Sequence, residues 1–152
     1  MSKLMSERSQ PRNKSGYFAE DTIVAVGSPL GGAIAMVRVS GPDAFASLEK
    51  LSGKSGLNAR EAHLVNLKNP KTGALIDQAI ALPYENPKSF TGEDVVEYQI
   101  HGSPRVAEHL IQCLQSLGIR QALPGEFSFR AVRNGKMKLS QAQAVDELVK
   151  AT

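Results

Sequence analysis

The feature that most restricts what this chain can fold into is a one-sided helix near its middle. Ser103 and Pro104 supply an N-cap and a first helical residue, Val106, Leu110, Leu114 and Leu117 recur on one face, and Gly118 stops the run. A stripe of this kind is stable only when it packs on a second apolar surface. Most of the segments before it are strand-like. Residues 22–26 form a short β-branched run, and residues 33–40 (AIAMVRVS) form another between Gly31-Gly32 and Gly41-Pro42. Residues 63–67 and 75–82, joined by Asn69-Pro70-Lys71-Thr72-Gly73, have the turn chemistry of a hairpin. A further strand is predicted over 94–101 and a short one over 119–123. A helix starting at Pro42 would place Phe45, Leu48 and Leu51 on its apolar side, and a short helix is predicted over 127–133 before Asn134-Gly135. A hairpin mixed with helices favours an α+β fold over a doubly wound sheet. The expected architecture is a mixed β-sheet of about five strands with about three helices.

Charge and composition mark the ends of this domain. The net charge is +3, and residues 1–20 alone carry Lys3, Arg8, Arg12 and Lys14 against Glu7 and Glu20. That polar stretch reads as a disordered leader, leaving 21–139 as the packed domain. Ser140 with Gln143 suggests a capping box for a last helix over 141–151, the expected start of a further helical domain in 140–152 that is cut short. A single cysteine, Cys113, excludes an internal disulfide and favours a reducing, cytoplasmic home. No apolar run approaches the ~20 residues of a membrane helix, so a soluble protein with no membrane partner is expected.

Several motifs invite a functional reading. Gly53-Lys54-Ser55 mimics the end of a phosphate-binding loop, but Leu48 stands where that motif needs glycine, and a helix precedes it instead of a strand. It reads as a loop that ends a helix. The glycines from Gly27 to Gly32 fail the dinucleotide fingerprint and make either a tight turn or a loop facing a ligand. Arg38 shares a face with Ile34 and Met36, where it either meets a carboxylate or snorkels to the surface. In 94–101, Val96, Tyr98 and Ile100 alternate with Glu97, Gln99 and His101. The second set is either an ordinary solvated face or, at Glu97, a carboxylate able to accept two parallel hydrogen bonds from the amino-pyrimidinone edge of a pterin or guanine. Arg120, Arg130, Arg133, Lys136 and Lys138 stand against only Glu126 in their stretch. That pattern admits an anion-binding patch or a solvated basic face. No catalytic triad or metal-binding spacing is evident, so no catalytic or metal residue is assigned.

Residues 21–25 (DTIVA), 33–41 (AIAMVRVSG), 89–97 (SFTGEDVVE), His101-Gly102, 124–128 (PGEFS) and 134–144 (NGKMKLSQAQA) together resemble the MnmE/TrmE family of tRNA-modification GTPases, in order and in spacing. The resemblance implies a first domain similar to the folate-binding domain of aminomethyltransferases. Such a domain forms a homodimer and holds a tetrahydrofolate derivative, 5-formyl- or 5,10-methylene-tetrahydrofolate, as one-carbon donor. It implies that the whole protein, with the flavoprotein MnmG/GidA, builds the 5-carboxymethylaminomethyl or a related group on the wobble uridine of tRNA. Folate contacts carry over to Arg38 in VRVSG, Glu97 in GEDVVE and Lys136 in NGK. The loop 28–32 is one residue shorter than the family's PPG(K/R)G form and lacks its base. The family's GTPase domain, with its GTP, magnesium and potassium, is expected after Thr152, so this chain alone is not expected to hydrolyse GTP. An assembly module without folate, or an RNA-binding module using 120–138, are the competing functions.

Overall fold

A computed structural model describes residues 19–28 and 30–143. Its centre is a six-stranded mixed sheet of β1 (Ile23–Val26), β2 (Ile34–Ser40), β3 (His63–Lys68), β4 (Leu75–Tyr84), β5 (Val95–His101) and β6 (Arg120–Gln121), in the spatial order β3-β4-β5-β2-β1-β6. All neighbours run antiparallel except β1 and β6. The helices are α1 (Ala44–Ser52), α2 (Pro104–Ser116) and α3 (Glu126–Arg133). The α+β class is as expected, with six strands in place of about five.

The two faces of the sheet have different occupants. Val24, Ala35, Val37, Val39, Val96, Tyr98 and Ile100 point to one side and are buried beneath Leu48 and Leu51 of α1 and Leu110 and Leu114 of α2. Each fully buried side chain of this size stabilises the fold by about 1.5–3 kcal/mol. The apolar face that Arg38 shares with Ile34 and Met36 is therefore the open one, opposite the core.

Local chemistry explains most boundaries. Asn69 closes the β3–β4 hairpin, its Oδ1 accepting from the N–H groups of Lys71 (2.9 Å) and Thr72 (3.3 Å). Pro83 falls inside β4, one residue past the predicted end. β3 pairs only as far as His63 with Ala81, so the end of β4 has a single neighbour and the missing N–H costs nothing there. Ser103 and Pro104 occupy the expected positions at the start of α2, although the Ser103 hydroxyl makes no capping bond. Gly53 is the left-handed C-cap of α1, donating to the Glu49 carbonyl at 2.8 Å, so the GKS triplet is a helix stop. The expected capping box at Ser140 is not formed. Residues 139–143 are already helical, and the Gln141 side chain accepts from the Lys138 N–H at 2.8 Å. The rest of the predicted helix over 141–151 and most of the 1–20 leader lie outside the described residues. Ala19, at the end of that stretch, is buried.

The expected basic patch over 120–138 is the largest departure. The Arg130 side chain is fully buried, and its guanidinium donates to the Asp21 carbonyl (2.6 Å), Glu93 Oε1 (3.1 Å) and Glu126 Oε2 (3.3 Å). Arg120 reaches Asp21 Oδ2 and Glu126 Oε2, each at 2.7 Å, and Arg133 reaches Glu93 at 3.5 Å. Three cations thus meet three carboxylates, two of which are remote in sequence. Neither a solvated basic face nor an anion patch exists at these arginines. Burial pushes the Glu126 carboxyl up, but the Arg120 hydrogen bonds, the Leu123 N–H and the charges of Arg120 and Arg130 outweigh it and leave its pKa below the ordinary value.

Removing one partner strands buried charge, so Arg130→Ala should cost about 3–5 kcal/mol in urea denaturation; a loss below about 1 kcal/mol contradicts the network's role. The depressed carboxyl contributes stability that is present above its unfolded pKa of about 4.3 and is lost as pH falls through the folded value. Stability measured from pH 7 down to pH 3 should therefore fall less steeply in Glu126→Gln than in the parent chain.

Candidate binding cleft on the open sheet face

The antiparallel register of β2 and β5 sets Arg38 directly across from Glu97. Arg38 Nε donates to Glu97 Oε2 at 3.0 Å, Nη2 lies 2.9 Å from the same oxygen in an ion pair and donates to Met36 Sδ at 3.4 Å, and the Arg38 and Glu97 side chains are 23% and 14% exposed. The two residues singled out separately in the sequence are thus each other's partner. The guanidinium also lies 5.1 Å from the centroid of the Phe90 ring, within cation–π range. Glu97 Oε1 has no protein partner among the described residues.

This pair forms the floor of a cleft of about 440 Å³. Tyr84 and Phe90 contribute aromatic surface, and Arg60 and Lys88 are its exposed charged members. A volume of this size fits the ~300–1,000 Å³ of small-molecule sites, and aromatic walls with a few convergent polar groups are their usual make-up. The arrangement can stack a flat heterocycle, accept its N–H groups on a carboxylate and attract an anionic extension.

Lys136 does not line the cleft. It is exposed on the turn after α3, with its N–H on the Ala131 carbonyl at 2.7 Å. It nevertheless abuts the loop that carries Phe90. Gly92 of that loop has φ of +83°, and a Cβ there would lie 2.8 Å from Asn134 Cβ and 3.3 Å from Lys136 Cγ. Asn134 Nδ2 donates to the Thr91 carbonyl at 2.7 Å. The same loop is tied to the sheet and to α3, since Ser40 Oγ meets Thr91 Oγ1 and Glu93 Oε1, both at 2.7 Å, and Glu93 takes Arg130.

Sequence reasoning missed Arg60, Tyr84, Lys88 and Phe90 as one site. Phe90 lay within a family motif, but its stacking on Arg38 has no linear signature. The Gly27–Gly32 loop lines another region. Gly31 donates to the Gly102 carbonyl at 2.9 Å, and Gly102 donates to the Ala33 carbonyl at 3.0 Å. His101 Nδ1 pairs with Asp77 Oδ1 at 2.7 Å, away from the cleft. Cys113 is buried in the core under α2, and burial pushes its thiol pKa up.

A family model described as "GTP-binding protein TrmE N-terminus" matches residues 22–136, which include Arg38, Glu97, Lys136 and every residue of the cleft. The chain belongs to the MnmE/TrmE family. It corresponds to the N-terminal region of MnmE proteins, which are tRNA-modification GTPases. It is 48% identical over 131 residues to the "tRNA modification GTPase MnmE" of Nitratiruptor sp., covering 86% of this chain and 29% of that protein. The relative so named from Chlamydia trachomatis serovar L2 is 46% identical over 134 residues, covering 86% and 30%. That from Koribacter versatilis is 38% identical over 137 residues, covering 87% and 30%. The chain therefore spans a little under a third of the length of these MnmE relatives.

A methyl group at position 92 would combine an unfavourable backbone with the Asn134 contact. Gly92→Ala should destabilise the chain by about 1–3 kcal/mol; unchanged urea stability would mean that the loop and the 134–136 turn are not packed together as described.

Proposed function

We propose that this chain is the folate-binding and dimerisation domain of an MnmE-family tRNA-modification GTPase. The observation that carries the reading is the Arg38–Glu97 pair on the floor of an aromatic-walled cleft. Glu97 Oε1 accepts an N–H from the amino-pyrimidinone edge of a tetrahydrofolate, either 5-formyl or 5,10-methylene, and Oε2 takes the parallel bond. Phe90 and Tyr84 supply stacking surface. Arg38 holds the Glu97 carboxylate in place and faces the polar part of the ring, while Lys136 adds its charge from beside Gly92. When bound, the folate supplies a one-carbon unit, and the residues of this chain bind and orient it.

The open sheet face supports self-association. Ile34 and Leu64 are 64% and 58% exposed and lie with the half-buried Ile80 around a shallow hollow. An apolar surface of that kind suits a second copy of the chain. In the full protein, a GTPase domain, the MnmG/GidA flavoprotein and tRNA would complete the reaction at carbon 5 of the wobble uridine, in the cytoplasm. No helix among the described residues is long and apolar enough to cross a membrane. The competing RNA-binding reading loses its main support, because Arg120, Arg130 and Arg133 are engaged with carboxylates. An assembly module without folate remains the alternative that binding data decide.

Calorimetry with 5-formyltetrahydrofolate should show 1:1 binding per chain, weakened at least tenfold by Glu97→Ala; the absence of binding at high protein concentration, alongside a dimeric mass, favours the assembly module. Light scattering of the double variant Ile34→Glu, Leu64→Glu should report a monomer where the parent chain is a dimer.

A further inference from the structure

The cleft holds three cations but one carboxylate. Arg38 is neutralised by Glu97, whereas Arg60 and Lys88 have no side-chain hydrogen bond or ion pair among the described residues. Nearby carboxylates are engaged or face elsewhere. Glu61 accepts from Asn58 Nδ2 at 3.3 Å, Asp94 Oδ1 accepts from Asn86 N and Nδ2 at 2.9 and 2.8 Å, and Glu85 lines a separate hollow against α1. Burial grades across the site, since Arg38 and Glu97 are largely covered while Arg60 and Lys88 are exposed, so the unopposed charge sits at the rim.

A second observation concerns the backbone. Arg60 is the one non-glycine residue with positive φ among the described residues, at 66°, and its N–H is fixed on the Pro83 carbonyl at 2.8 Å. Glycine or asparagine would adopt this conformation with less strain. The strain instead secures a guanidinium beside the cleft, and strained backbone at a lining residue points to a ligand role.

We propose that Arg60 and Lys88 form an oligo-anion subsite, which holds the additional carboxylates of a poly-γ-glutamyl tail on the folate seated over Arg38 and Glu97. This rests on the folate reading above. The ring lies on the covered floor, and its tail leaves past the two rim cations. The site thereby selects the multiply charged forms of the cofactor over the monoglutamate, and exposed charge contacts of this kind weaken as salt rises.

The test compares binding of 5-formyltetrahydrofolate mono- and triglutamate to the 152-residue chain at low and at moderately raised salt. The triglutamate should bind roughly 3- to 10-fold tighter at low salt, with the advantage shrinking as salt is added. The double variant Arg60→Asn, Lys88→Gln should lose that advantage and bind the two ligands with equal affinity, the triglutamate losing more than the monoglutamate; asparagine tolerates the left-handed backbone, so folding is kept. Arg60→Lys with Lys88 intact should retain most of it. Equal affinity of the parent chain for both ligands overturns the subsite and leaves the folate reading standing, as does a double variant that loses monoglutamate binding to the same degree. If the triglutamate has no advantage but binding of a single-stranded oligoribonucleotide falls in the double variant, the cations serve RNA and the proposal is wrong. Failure of every folate to bind removes the folate reading and the subsite together.

Discussion

The fully buried Arg130 guanidinium is the interaction on which the arrangement of this domain depends. A cation in the interior is tolerated only when its charge and donors are met. Here the charge and both Nη groups are met by the residue leading into β1, by the loop before β5 and by the first turn of α3, while the buried Nε has no hydrogen-bond partner. Three segments far apart in sequence are thereby fixed to one point. Glu93, held by Arg130, also takes the Ser40 hydroxyl, and so anchors the loop whose other end carries Phe90 over Arg38. Electrostatics in the interior thus reaches the cleft through Ser40, which shares the open face of β2 with Arg38.

Much of this fold was legible in the sequence. The stripe of α2, the turn at Asn69 and the alternation in β5 are local properties, and local chemistry fixes them. The β2–β5 register was not legible, because pairing depends on partners more than fifty residues apart. Arg38 and Glu97 were each singled out for their chemistry, but only the register makes them a pair. The basic stretch misled for the same reason. Within 120–138 it has one acidic neighbour, yet Asp21 and Glu93 arrive from elsewhere in the chain and neutralise it. Arg60 gave no signal at all, since a left-handed arginine is a consequence of tertiary packing, and no turn motif announces it.

Family membership and local chemistry bear on different parts of the function. Membership comes from the match over 22–136 and from identities of 38–48% to MnmE proteins. The GTPase part of those names finds no counterpart in the GKS triplet, whose glycine caps α1. A carboxylate–guanidinium floor, an aromatic wall and a basic rim can orient a charged heterocycle, and Cys113 and the Asp77–His101 pair stand apart from that site.

The most direct measurement of ligand placement is a nitrogen-15 NMR titration of the chain with 5-formyltetrahydrofolate, read at the Arg38 Nε–H and at the Phe90 and Glu97 amides. A pterin seated on Glu97 beneath Phe90 should shift all three signals together and saturate with a single affinity, leaving α2 and the Asp77–His101 pair unmoved. Shifts confined to α3 and residues 139–143, or an Arg38 Nε–H that does not respond while the ligand binds, would contradict a folate site on the Arg38–Glu97 floor.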